Sequence, residues 1–257
     1  MEYLKIILFF VFIFGIESKK CDSGPEGIFC EYPENAPSSK CKGFEKRILT
    51  NEEENFIVEE HNRLRHQIAI GNKTSLPKAY FMKKLSWDKD LAEAAQKWAN
   101  QCGEPFKSDQ KQKYSLGGNV AVAIRNAESV DISRLIQKWK SGLSNFDESL
   151  VKEFHSPKSE SLESFTQIIW GNTDKIGCGI SQYEGRCKEN IHGFCPLVEL
   201  VCFYSPAGNI KGQSVYLISD NKDLMCVKRT SDALCDKVID KGKRKFFLNF
   251  NNHSSFI

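Results

Sequence analysis

Several signatures of catalysis and cofactor binding are missing from this sequence. It has no Gly-x-Ser-x-Gly nucleophile elbow and no phosphate-binding glycine loop. No Cys-x-x-Cys pair occurs, which argues against a zinc ribbon and against a thioredoxin-type redox centre. His61 and His66 are separated by about 500° of helical rotation, so they do not share a face as a His-Glu-x-x-His zinc site requires. Acidic residues are plentiful, yet no pair stands out as general acid and general base. The net charge is only +3, which provides no strong basic field for nucleic acid. No internal repeat is visible. Beyond the N-terminus no apolar run approaches the roughly 20 residues of a membrane helix, so no transmembrane segment is expected.

What the chain does have is cysteine, ten in 257 residues. At the N-terminus Lys5 precedes an unbroken apolar run from Ile6 to Phe14, too short to span a bilayer and well suited to a signal peptide. We assign residues 1–18 to that signal, with cleavage near Ser18 and a secreted, extracellular product. In an oxidising compartment the ten cysteines should form five disulfides, which leaves no thiol for a Cys-His nucleophile. Asn72-Lys-Thr is a glycosylation sequon, and Asn252-His-Ser is a second one in the tail.

Residues 19–49, rich in Cys, Pro, Gly, Ser and Lys, read as an irregular, disulfide-held arm. A helix is expected from Thr50, a capping residue followed by acids, with Ile57, His61, Leu64 and Ile68 inward and a stop at Gly71-Asn72. His61 on that apolar face reads as a hydrogen-bonded core residue rather than a ligand. The strongest helical segment is 88–102, capped by Asp88, with Leu91, Ala94, Ala95, Trp98 and Cys102 on one face. Further helices are expected over about 131–143 and 161–170. Strands are expected at 120–124, 176–183 and 197–204. Helices and strands thus mix within one stretch, an α+β or three-layer pattern. Residues 211–257 form an extension carrying Cys226 and Cys235. In its tail Lys241, Lys243, Arg244 and Lys245 stand beside Phe246, Phe247 and Phe250. That composition suits a solvated terminus, contact with acidic glycans or a membrane surface, or processing at Gly242-Lys243-Arg244.

The order of segments carries a resemblance. Glu60-His61-Asn62-Arg63-Leu64-Arg65 opens it, followed by Leu85-Ser86-Trp87-Asp88 and by Ala95-Gln96 through Trp98-Ala99-Asn100-Gln101-Cys102. Then come Gly117-x-Asn119, Trp139, Phe165-Thr166-Gln167-Ile168-Ile169-Trp170, Gly177-Cys178-Gly179, and Cys202-Phe203-Tyr204-Ser205-Pro206-Ala207-Gly208-Asn209. Over residues 50–210 the chain resembles the CAP superfamily of cysteine-rich secretory, antigen-five and pathogenesis-related proteins, the insect antigen-five (venom allergen) type above all. The resemblance implies a three-layer α-β-α sandwich, the CAP or SCP domain, with the arm before it and the Cys-bearing extension after it.

Members of that family often hold a divalent metal with two His and two Glu in a central cleft. At the matching positions this chain has Ser108, Gly118, Gly142 and Ser164, so the resemblance implies four lost ligands and no metal or other cofactor. His155 is the one histidine that could approach from a loop, and it does not rebuild four ligands. The family pattern also implies Cys41–Cys102 and Cys178–Cys202. Cys21–Cys30 within the arm and Cys226–Cys235 within the extension are then expected, which leaves Cys187–Cys195. A further bridge found in wasp-type relatives, from the arm to the segment after Cys102, lacks both ends here. Closing the loop from Cys41 to Cys102 contributes roughly 4 kcal/mol in the chain-entropy model.

The expected role is that of a non-enzymatic secreted glycoprotein binding an extracellular protein or receptor. Because several relatives bind sterols or fatty acids between helices, a lipid carrier is the alternative. A protein secreted from insect cells is expected to weigh ten hydrogens less than its fully reduced form, from its ten cysteines. Intact-mass spectrometry before and after reduction checks this; a smaller difference means a free thiol pair.

Overall fold

The molecule was analysed as a computed structural model that describes residues 24–33, 36–71, 76–125, 131–157, 159–187, 193–218, 224–231 and 233–240. The signal peptide, Cys21, both sequons and the basic tail lie outside the described residues.

Thr50 opens the long helix α2 (Asn51–Ile70) with a full capping box. Its hydroxyl accepts the Glu53 N–H, and the Glu53 side chain accepts the Thr50 N–H. Gly71, in the left-handed conformation, closes the helix. Asp88 caps α3 (Lys89–Ala99) and Asp131 caps α5 (Ile132–Lys140) with the side chain alone, accepting the Leu91 and Arg134 N–H groups. The helix expected over 131–143 therefore ends earlier, and its last turn tightens into a 3-10 segment over Ser141–Asn145. The helix α7 (Glu160–Ile168) begins at Ser159.

The arm departs from expectation. It is not irregular throughout, because Gly24–Glu31 forms helix α1 and Lys42–Glu45 forms strand β1. A helix of this length is marginal alone, and packing supplies what propensity does not. Ile28 is fully buried against the cluster of Leu91, Trp98, Phe106 and Phe203, and Tyr32 meets Trp98 edge-on at 5.8 Å. Two further short helices, α4 (Ser108–Tyr114) and α6 (Ser149–Lys152), were not anticipated.

The main sheet has β1, β4 (Lys175–Arg186), β5 (Phe194–Ser205) and β3 (Gly117–Ile124) side by side and antiparallel. The two-residue β2 (Ser86–Trp87) runs parallel to the start of β4. Strands β4 and β5 extend well past the expected limits, and their alternation divides the core in two. Val198, Leu200, Cys202 and Tyr204 face a large cluster with α2, α5 and α7, while Val201 and Phe203 face α3, α1 and α4. Helix α3 lies directly on the backbone of β4, because a Cβ at Gly179 would stand 2.3 Å from the Gln96 Cα.

Disulfides join Cys41 to Cys102, Cys178 to Cys202, Cys187 to Cys195 and Cys226 to Cys235. Cys30 is disulfide-bonded as well, and Cys21 lies outside the described residues. Part of the extension forms a hairpin of β6 (Leu224–Arg229) and β7 (Cys235–Asp240). It docks through Cys235, whose N–H donates to Met82 O at 2.7 Å and whose carbonyl accepts from Lys84 N at 3.0 Å. Val215, Tyr216 and Leu234 complete the large core.

A charged residue sits at the centre of that core. Arg65, fully buried on α2, donates to five backbone carbonyls: Lys83, Ile168, Trp170, Gly171 and Thr173. Burial pulls its pKa down, to about 9, which still leaves the cation dominant at neutral pH. An ammonium cannot span these acceptors. Arg65→Lys is therefore expected to cost about 3 kcal/mol or more, from unpaired buried carbonyls, measured as the loss in unfolding free energy in denaturant.

Candidate functional site

The four positions implied by the resemblance lie on separate elements near the β3 edge of the sheet. Ser108 is the exposed first residue of α4. Gly118 is the second residue of β3, Gly142 lies in the 3-10 turn after α5, and Ser164 is half-buried on α7. A Cβ built on Gly118 would stand 2.3 Å from the ring of Phe106. A Cβ on Gly142 would stand 2.3 Å from the Ser161 carbonyl oxygen and 2.8 Å from the Leu162 Cα. At the first glycine an aromatic ring fills the space; at the second the backbone of α7 does.

Phe106 packs into the space over Gly118, while Ser108, the counterpart read from the sequence, stands exposed at the start of α4. The ring is buried and packs tilted on Phe203 at 4.6 Å, edge-on to Trp98 at 5.0 Å and stacked with Tyr114 at 6.3 Å. Its signal in the sequence was position, four residues after Cys102. A search guided by polarity passes over it in favour of the next hydroxyl. A second missed feature is an ion pair joining α4 to α7, Lys111 Nζ to Glu163 Oε1 at 2.8 Å, beside Ser164. His155 is exposed. Among the described residues no group of three His, Cys, Asp or Glu is placed to hold a metal ion.

Behind this region runs a closed polar chain. His61 is fully buried, with Nδ1 2.7 Å from Ile57 O and Nε2 2.9 Å from the Tyr204 hydroxyl. A carbonyl can only accept, so Nδ1 carries the proton and Nε2 accepts from Tyr204. The Tyr204 oxygen in turn accepts from Asn119 Nδ2 at 3.2 Å, which also donates to Ser164 O at 3.0 Å. Burial drives the imidazole pKa down to about 3 and raises that of the Tyr204 phenol, so both stay neutral across the physiological range. With every ring nitrogen committed, His61 is a core histidine that positions Tyr204 and β3.

The chain is similar to known proteins in sequence and in fold. The family model for the cysteine-rich secretory protein family, CAP, matches residues 58–204. A venom allergen 3 homolog of Dinoponera quadriceps is 32% identical over 235 residues, covering 85% of this chain and 97% of the relative. Venom allergen 5 of Polistes dominula is 35% identical over 207 residues, covering 77% and 87%. Among solved structures, BmVAL-1 superposes with a TM-score of 0.52 at 27% identity, covering 74% of this chain and 96% of the neighbour. NaASP2, solved with Zn2+, gives a TM-score of 0.55 at 24% identity over 78% of this chain and 100% of the neighbour, a likeness of fold.

The packing of Phe106 into the space over Gly118 can be tested by a double-mutant cycle. Phe106→Ala is expected to cost about 3–5 kcal/mol of stability, and Gly118→Ala about 1–3 kcal/mol by overpacking. The double variant should cost less than the sum by about 1 kcal/mol or more, because the truncated ring vacates the space for the new methyl. Additive costs would mean that the two residues do not compete for one volume. From its matched segments, its sandwich fold and its venom-allergen relatives, this chain belongs to the CAP family.

Proposed function

We propose that the chain is a secreted, non-catalytic CAP protein that has lost the family's metal site and binds an extracellular protein or receptor through its surface. The observation that carries the reading is steric. A Glu at position 118 would meet the Phe106 ring, and one at 142 would meet the α7 backbone. Two serine hydroxyls are poor ligands for zinc or for the harder divalent ions. The residues present do not fit a metal, and without imidazole or carboxylate there they offer no acid–base pair.

Binding then falls to the outer surface. The arm places α1 on one face and β1 at the sheet edge, and exposed connections on a rigid frame are where recognition concentrates. The signal-like N-terminus, the ten cysteines and the venom-allergen relatives support secretion. The lipid-carrier alternative finds less support. Two surface hollows of about 570 and 580 Å3 are open and lined mainly by polar and charged side chains such as Glu59, Arg63, Lys84 and Asp174.

Protein secreted from insect cells is expected to show no stoichiometric metal or lipid in native mass spectrometry, and no saturable heat with zinc in calorimetry. Fluorescently labelled protein should bind target cells saturably, and protease treatment of those cells should abolish the binding. A metal at one per chain would overturn the lost-site reading. A lipid-sized adduct, or cell binding that survives protease, would favour the carrier.

A further inference from the structure

One contact of the arm reaches past its own anchor. Helix α1 packs on α3, where Ile28 is buried and Lys97 Nζ donates to the Pro33 carbonyl at 3.0 Å, just after the helix ends. Its last residue, Glu31, bonds to α4 instead. Glu31 Oε2 accepts from the Tyr114 hydroxyl and from Lys113 Nζ, and the Tyr32 hydroxyl lies within reach of the same carboxylate. Burial raises the Glu31 pKa, but these donors outweigh it and hold the carboxyl below its ordinary value, so it is an anion at neutral pH.

Helix α4 has little of its own to hold it. Seven residues are too few for a helix to persist alone. Its C-terminal cap, Ser115, is a non-glycine residue in the left-handed region, at φ 53°. Tyr114 and Phe106 attach it to the core. The two rings stack at 6.3 Å, and Phe106 fills the space over Gly118. Tyr114 is buried, and among the described residues the Glu31 carboxylate is the acceptor of its hydroxyl. A phenol packed in this way and stripped of its acceptor is destabilised. A second tie, the Lys111–Glu163 pair, runs to α7 and leaves the arm out.

We propose that the arm helix is a strap on α4: Glu31 holds Tyr114, Tyr114 holds the Phe106 ring, and the ring is secured over Gly118 by the seated arm. The coupling runs both ways, because whatever weakens one contact of the chain weakens the others. Lifting α1 takes the acceptor from Tyr114 and withdraws Ile28 from the cluster that both rings share. Helix α4 then loosens, and the space over Gly118 opens beside Trp98 and Phe203. A partner that takes up α1 therefore uncovers Gly118, and one that presses α1 down keeps it shut. The Cys41–Cys102 bridge keeps a lifted arm attached to the sandwich. This device goes beyond the surface-binding reading and does not depend on it.

Hydrogen exchange of the full secreted protein tests the strap. Glu31→Gln keeps the shape and loses the charge, while Tyr114→Phe keeps the ring and loses the hydroxyl. In either variant the amides of residues 108–114 should exchange about three- to tenfold faster at fixed pH, with those of α3 and β5 unchanged. The reciprocal readout is Gly118→Ala, which displaces the ring from β3 without touching the arm. It should speed exchange in α1 as well as in α4, which a merely local contact would not do. Tyr114→Phe adds no volume, so the strap stays testable even where Gly118→Ala does not fold. Wild-type exchange in α4 in both Glu31→Gln and Tyr114→Phe overturns the strap. So does a Gly118→Ala protein in which α4 speeds up and α1 does not.

Discussion

The fold depends on one buried cation. Arg65 reaches five carbonyls that belong to three separate stretches: the segment before β2, the C-terminal turn of α7, and the loop into β4. Trp170 O and Gly171 O also accept backbone N–H groups, from Thr173 and Lys83, whereas the carbonyls of Lys83, Ile168 and Thr173 lean on Arg65 and would be costly to bury unpaired. The guanidinium is the only side chain whose fixed fork carries enough donors to serve them from one point. Because α2 supplies it, α2 is locked to α7, and the position of α7 follows. That position brings Ser161 and Leu162 against Gly142, Asn119 against Ser164 O, and Glu163 within reach of Lys111.

The elements that carry Ser108, Gly118, Gly142 and Ser164 are held together by side-chain contacts. The His61–Tyr204–Asn119 chain joins α2 to β5 and β3. Lys111 and Glu163 join α4 to α7, a half-buried pair that contributes about 1 kcal/mol at most. Phe106 fills the remaining space and couples it to Trp98 and Phe203. Most of the stabilisation on that side is therefore apolar packing rather than coordination.

Parts of this were legible in the sequence because they are local. Thr50 with Glu53, Asp88 and Asp131 announce helix starts through hydrogen bonds spanning three residues, and Gly71 announces a stop through its own backbone freedom. Alternation placed the central strands, although it could not say how far β4 and β5 run past their apolar centres. Helix α1 was invisible because its stability comes from Trp98, far along the chain. Arg65 was invisible for a similar reason, since a charged residue at a core spacing reads as an exposed one until its carbonyls are known. Phe106 illustrates a different failure. Candidate positions were sought by polarity, whereas the space over Gly118 is occupied by an aromatic ring.

The two sides of the sheet consequently carry different kinds of constraint. On the α2 side the His61–Tyr204–Asn119 chain is neutral and closed, so it keeps its hydrogen bonds across neutral pH. On the α3 side Glu199, deeply buried on β5, accepts the Gly103 N–H next to the disulfide that anchors the arm. If binding is a surface property, as proposed, the arm is the element whose placement would govern it. The corner that carries the arm is therefore held twice, once covalently and once by a hydrogen bond. The physical reason is that Cys41–Cys102 limits how far the arm can move, whereas the hydrogen bond from Gly103 sets how firmly its anchor is held against the sheet.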